Sequence, residues 1–239
     1  MNDILKNTLV LGLVALAGLF LLAGCSKSDN PVDSEEGITE RNLFPFAPGR
    51  VFVFSAYTLD TLGRKIESST HREAIYVHSA VTIGGKSAYR LIDSVYFTNG
   101  TLNFTDTTYF AEEQGNLLIY YGTPAAGSWV TLFKRSEGID KEYDGGSFTE
   151  VIFGVPITVT VKCKIRPKET VIAPIGSMQA YKLEVKTSAR FGGQTFEFLQ
   201  YVWFADGFGP VKQQEPVQVD PTLGIRLQGY ESLMVSKNF

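Results

Sequence analysis

The sequence predicts an all-β domain: a single antiparallel meander forming a curved sheet, half-barrel or sandwich, with an N-terminal signal helix ahead of it. Three observations predict it. From Leu43 onward Gly, Asn, Asp and Pro recur at strand-plus-turn spacing, and the segments between them are rich in Val, Ile, Thr, Tyr and Phe. Where the pattern is clearest it alternates with a period of two, and no stretch after residue 43 carries a helical period. The breaks at Gly84-Gly85, Asn99-Gly100, Gln114-Gly115-Asn116 and Gly192-Gly193 have hairpin-turn composition, so sequence neighbours should pair antiparallel.

The chain opens with a charged start (Lys6), an apolar run from Thr8, and Leu22-Ala23-Gly24-Cys25 at its end. Residues 8–24 as a helix would reach about 26 Å, short of the roughly 30 Å hydrocarbon layer, so a spanning anchor is disfavoured. Small residues directly before a cysteine, followed by polar Ser26-Lys27-Ser28-Asp29-Asn30, resemble a bacterial lipobox. By that resemblance residues 1–24 are a cleaved signal peptide and Cys25 is the lipid-attachment site. Several acyl chains there, each buried methylene contributing about 0.8 kcal/mol, would hold the protein durably on a membrane. Ser26 in place of an aspartate is similar to lipoproteins sorted to the outer membrane, which places the protein in the cell envelope.

Residues 25–42 then read as the lipidated cysteine and a flexible tether. Ser26 to Asn42 has only Val32 and Ile38 as aliphatics, too little apolar surface to offset the cost of ordering. Such a tether would hold the domain on the order of 20 to 25 Å from its anchor. Residues 43–239 form the predicted domain, long enough for a full core. Cleavage removes one base and one acid, Lys6 and Asp3, and leaves the net charge of −3 unchanged, which gives no basic footprint for nucleic acid. Of the two cysteines, Cys25 would carry lipid by the lipobox resemblance, which leaves Cys163 without an intrachain partner.

Strands are expected near 50–59, 66–82, 87–98, 101–111, 116–121, 128–135, 148–154, 156–166, 179–191, 194–204, 209–215 and 223–235. In the 179–191 strand Tyr181, Leu183, Val185, Thr187 and Ala189 alternate with Lys182, Glu184, Lys186, Ser188 and Arg190. A two-residue turn at Gly192-Gly193 would set Phe204, Val202, Gln200, Phe198 and Phe196 on the same, core-facing side. Leu199, Tyr201 and Trp203 then form an apolar stripe on the outer side, opposite Lys186, Glu184 and Lys182. This stripe is the candidate partner surface; the alternative is that lysine stems or a second layer cover it.

Parity also assigns the reactive side chains. Cys163 shares a face with Ile157, Val159, Val161 and Ile165 and reads as a buried small hydrophobe. His71 and His78, seven apart in one expected strand, point to opposite faces and cannot share a metal unless a bulge intervenes. No Gly-x-Ser-x-Gly elbow or His-Glu-x-x-His is present. Gly207-Phe208-Gly209 lacks the helix a phosphate site needs. Asp140-Lys141-Glu142-Tyr143-Asp144-Gly145 matches only the first half of a calcium loop, because position 151 is Val151, and reads as a solvated acidic loop. No catalytic residue, cofactor-binding residue or metal ligand is assigned.

Four segments carry a wider resemblance: Leu43-Phe44-Pro45-Phe46-Ala47-Pro48-Gly49, Leu117-Leu118-Ile119-Tyr120-Tyr121, Gly127-Ser128-Trp129, and Trp203-Phe204-Ala205-Asp206-Gly207-Phe208-Gly209-Pro210-Val211-Lys212. Together they resemble uncharacterised bacterial envelope lipoproteins with a Phe-Pro-x-x-x-Gly opening and a Trp-x-Ala-x-Gly-x-Gly-x-Val-Lys close. Plain structural roles are expected for these residues: Pro45 and Pro48 stiffen the approach to the first strand, Gly207 and Gly209 permit a reversal, and Trp129 fills core. The resemblance implies a membrane-anchored, non-catalytic envelope lipoprotein whose curved sheet binds an apolar ligand or an envelope partner protein. The alternative is a structural or assembly component of the cell surface without a small-molecule pocket, and a carboxylate-based hydrolase is the remaining reading.

Overall fold

Alternation of apolar and polar side chains along almost every segment after Gly49 builds strands β1 (Val51–Leu59), β2 (His71–Ile83), β3 (Lys86–Tyr96), β4 (Leu102–Glu113), β5 (Asn116–Thr123), β6 (Ala126–Phe133) and β7 (Glu142–Ile152). They continue with β8 (Val155–Ala173), β9 (Gly176–Phe191), β10 (Gln194–Ala205), β11 (Gly209–Glu215), β12 (Gln218–Asp220), β13 (Ile225–Leu227) and β14 (Gly229–Lys237). The structure is a computed structural model that describes residues 38–152, 155–191, 194–220 and 225–239. The signal segment, Cys25 and the Gly192-Gly193 turn lie outside the described residues. Among the described residues no helix is long and apolar enough to cross a membrane.

Twelve strands make one antiparallel sheet in the order β6-β5-β4-β3-β2-β1-β14-β11-β10-β9-β8-β7, with β12 and β13 as a separate small hairpin between β11 and β14. The meander therefore curls until its first and last strands pair, Phe54 opposite Met234 and Ala56 opposite Ser232. Its two free edges are the sequence neighbours β6 and β7. The result is a nearly closed barrel, within the all-β meander class that the sequence predicts.

A side chain, rather than a ladder, stitches the edges. Tyr143 of β7 donates its hydroxyl to the carbonyl of Leu132 at 2.6 Å and accepts the amide of Lys134 at 3.1 Å. A bulge between Asp144 and Gly146 breaks the pairing rhythm of β7. A Cβ on Gly145 would lie 2.7 Å from the carbonyl oxygen of Thr131, so only glycine permits this approach.

Several elements differ from expectation for identifiable reasons. Residues 66–70 are not strand; Glu67–Ser69 form a single 3-10 turn. The acidic stretch expected as a solvated loop instead begins β7 at Glu142, because Glu142 pairs with Lys164 in register and forms an ion pair with Lys162 at 2.8 Å. β8 and β9 run on to a turn at Pro174-Ile175, and the register slips between Ile165 and Lys168, which accommodates Pro167 without breaking the strand.

The chain before β1 plugs one end of the barrel. Ile38, Leu43, Phe44 and Phe46 are all buried. Phe44 meets Phe133 and Phe204 edge-on at 5.3 and 5.2 Å, and Phe46 stacks on Phe110 at 5.6 Å. Polar clamps hold the segment in place: Tyr181 donates to a Glu40 carboxylate oxygen at 2.8 Å, Lys168 pairs with the other, and Arg135 donates to the Glu40 carbonyl. Among the described residues packing against the core is already present at Ile38, one of the two aliphatics between Ser26 and Asn42. Replacing Phe44 with Ala should cost about 3 to 5 kcal/mol in denaturant or thermal unfolding; a loss under about 1 kcal/mol would contradict the plug.

Candidate functional site

At the end of the barrel away from the plug, the inner face changes chemistry. Residues paired across neighbouring strands share a face, and Phe54 of β1 lies opposite Glu73 of β2, while Ala56 lies between His71 on one side and Ser232 on the other. Ile75 faces Asp93 of β3, Asp93 faces Asp106 of β4, and Glu215 of β11 faces Tyr230 of β14. Glu73, Asp93, Asp106 and Glu215 therefore gather on the face that carries Phe52 and Phe54. The small side chain of Ala56 leaves room above it, where the rings of His71 and Tyr230 approach to 6.4 Å.

Burial makes this group unusual. Glu73 and Asp93 are only 5% and 6% exposed, and Ser232 is fully buried. Carboxylates are almost never buried to this degree unless paired. Glu73 has a partner, His71, whose Nε2 lies 3.3 Å from its Oε1. The other nitrogen, Nδ1, lies 2.8 Å from the carbonyl of Ser69, an acceptor only. Both ring nitrogens face acceptors, an arrangement that suits imidazolium, and the Glu73 contact raises the His71 pKa.

Asp93 has no such help. No side chain donates a hydrogen bond to either of its oxygens, and only the Ser94 amide approaches it; the Tyr230 hydroxyl lies beside Glu73 and Ser232 without well-formed hydrogen-bond geometry. Burial, reinforced by the charges of Glu73 and Asp106, pushes the Asp93 carboxyl up to about 7. Burial and Glu73 push Glu215 to about 7 as well, and burial holds the Tyr230 phenol well above its ordinary value. Among the described residues of these strands, His71 is the one basic side chain the register sets beside the acids. Lys237 shares the face but lies at the plug end, over Phe208 and Phe239. The arrangement can store protons below neutrality and concentrate negative charge above it. No group of three or more His, Cys, Asp or Glu among the described residues is placed to hold a metal ion.

The sequence-assigned positions fall elsewhere. Leu199, Tyr201 and Trp203 lie on the outer face opposite Lys186, Glu184 and Lys182, in the register the turn composition predicts. Trp203 is only 3% exposed: its indole donates to Glu169 at 2.5 Å, and Lys182 and Lys212 lie over its ring at 5.1 and 4.8 Å. Leu199 and Tyr201 are half-buried, with Lys182 3.8 Å above the Tyr201 ring. Cys163 is buried as expected, and burial pushes its thiol up to about 12.

His78 sits at a bulge between Val77 and Ser79 and is exposed, while His71 is inside, so the strand separates them. Trp129 is not in the main core. It is half-buried in a second, smaller cluster, edge-on to Tyr120 at 5.1 Å, with its indole donating to the carbonyl of Gly84 at 3.2 Å. The acid group itself was open to the parity argument, since Val77, Ile75, Glu73, His71 and Leu91, Asp93, Val95 are alternating sets with an acid at an inward position.

No protein-family model matches the chain, and no curated protein matches it. Two solved structures share its fold. A putative lipoprotein from Parabacteroides distasonis ATCC 8503 is similar at TM-score 0.54 and 14% identity, over 82% of this chain and 98% of that one. A putative exported protein with YmcC-like fold from Bacteroides fragilis NCTC 9343 is similar at TM-score 0.53 and 15% identity, over the same shares.

Two outcomes follow from this geometry. Asp93 and Glu215 bind their protons more tightly folded than unfolded, so between about pH 4 and pH 7 the folded chain holds more protons, and stability falls as pH rises through about 7. The raised His71 acts in the same direction. Asp93→Asn should therefore match the parent near pH 5 and exceed it at pH 8 by on the order of 2 kcal/mol in thermal melts; equal pH profiles would contradict the buried-acid reading. Trp203→Ser should cost several kcal/mol, roughly as core aromatic truncations do, although it lies on the outer face. A near-neutral melting shift would instead mark the stripe as a bare contact surface.

Proposed function

We propose that the protein is a non-catalytic envelope lipoprotein, acylated at Cys25 and anchored in the outer membrane, whose barrel binds an apolar ligand or an envelope partner. One observation supports the binding role: Phe196 and Phe198 of β10 lie on the inner face yet remain half-exposed, while Phe204 further along the same strand is packed under the plug. Val155, on the inner parity of β8, is exposed at the same end. Half-exposed aromatics on a concave face suit an apolar guest. The fold shared with a putative lipoprotein and a putative exported protein is consistent with the anchor.

A second reading, a carboxylate hydrolase, draws on Asp93 lying directly opposite Asp106 with a raised pKa, the pairing of acid and base that glycoside cleavage uses. Absence of turnover on nitrophenyl glycosides, set against retention of ligand, separates the two.

The test is made on protein taken from its own membrane. Native mass spectrometry should show the intact chain with acyl mass at Cys25 and a further apolar adduct, and Cys25→Ser should abolish incorporation of labelled fatty acid. Unchanged labelling in Cys25→Ser would overturn the anchor; a bare chain would overturn the apolar guest.

A further inference from the structure

The acids and the half-exposed phenylalanines lie at one end of one interior. The register carries this end around the sheet: Glu215 pairs with Tyr230, Gln213 with Ser232, and Tyr201 with Gln214, so Gln200 and Phe198 of β10 continue to the level of Glu215. On the other side of β14, Tyr230 and Ser232 lie level with Thr58 and Ala56, and through Ala56 with His71. One wall of this end is therefore aromatic and the other acidic.

We propose that this end of the barrel binds an amphiphile with a primary ammonium head, the head held by Asp93, Glu73 and Glu215 and the apolar stem lying along Phe196 and Phe198. The inference rests on the apolar-binding reading and adds the charge of the ligand to it. Three features select this chemistry. Asp93 is buried, with the Ser94 amide as its one nearby donor and no side chain hydrogen-bonded to either oxygen, and what it lacks is N–H or O–H groups, of which an ammonium brings three. Apart from His71, whose two ring nitrogens are already engaged by Glu73 and the Ser69 carbonyl, the surrounding polar groups are carboxylates, hydroxyls and amides, so an anionic or fatty-acid head would meet repulsion. A bare metal ion needs its ligands converging at 2 to 2.6 Å, roughly, and the described residues offer no such group, whereas N–H···O contacts of about 2.8 Å reach more widely spaced oxygens.

The His71–Glu73 contact fits the same picture. His71 already supplies one cationic donor to Glu73, whereas Asp93 has no side-chain donor and Glu215 lies under the repulsion of Glu73. The charge groups facing Asp93 are Glu73 from β2 and Asp106 from β4, both acidic, so a cation arriving there is drawn by all three.

The test uses the full acylated chain in nonionic detergent with three probes of equal stem length: n-hexylammonium, 1-hexanol and hexanoate, read by ligand-observed NMR and calorimetry at pH 8. Hexylammonium should bind at least 10-fold more tightly than hexanol, and hexanoate should not bind. Asp93→Asn should remove most of that preference while leaving hexanol binding intact, which also shows that the variant is folded; Glu215→Gln provides a second variant with the same expectation. Equal binding of amine and alcohol, or a preference unchanged in both variants, would overturn the ammonium site while leaving the apolar reading standing. No binding of any probe would overturn both, and calcium or magnesium binding that displaces nothing would count against the acids as the head-group site.

Discussion

The barrel is held shut by packing against its own leading segment. A meander this long has two free edges, and exposed edges are a standing hazard for pairing with other chains. Here β6 and β7 approach without forming a ladder: a bulge and Gly145 let the backbones draw close, and the Tyr143 hydroxyl, with a weaker contact from the Cys163 thiol to the Thr131 carbonyl, supplies hydrogen bonds across the gap. What keeps the edges in place is the aromatic cluster of Phe44, Phe133 and Phe204, in which the plug contacts β6 on one side and β10 on the other. Arg135 and Glu40 fasten the same segment at the β6–β7 connection.

Filling one end with the chain's own residues leaves the other end free to carry polar groups. Burying carboxylates costs several kcal/mol each unless they are neutralised or paired, so an interior with two of them near-fully enclosed is a structural concession. The plug end, with its close-packed Phe and Leu, can offset that cost. The division into a packed end and an acidic, half-aromatic end gives the interior a direction, and the outer stripe at Trp203 is a separate matter, covered by Lys182, Lys212 and Glu169.

Much of the fold was legible because strand periodicity and hairpin glycines are local signals. The pairing of Tyr181 with Phe204 and of Lys182 with Trp203 followed from the spacing around Gly192-Gly193 alone. Three things were not local. Pro167 concealed the continuity of β8, because a bulge absorbs it; Glu142 looked like a loop residue until Lys162 and Lys164 lay alongside it in the sheet. The acid site needed strands far apart in sequence, β2–β4 with β11 and β14, to be wrapped onto one face. Parity could place each acid inward within its own strand, but convergence depends on β1 pairing with β14, which no local pattern announces.

The claim that the plug keeps the seam closed is tested most directly by residue-resolved hydrogen exchange on the full chain, compared with a chain whose residues 38–46 are replaced by a Gly-Ser segment of equal length. Closure by packing predicts that protection falls first and furthest along β6 and β7, around Leu132, Lys134 and Tyr143, while the β8–β9 hairpin remains protected longest. Unchanged protection at β6 and β7 in the replaced chain would contradict it.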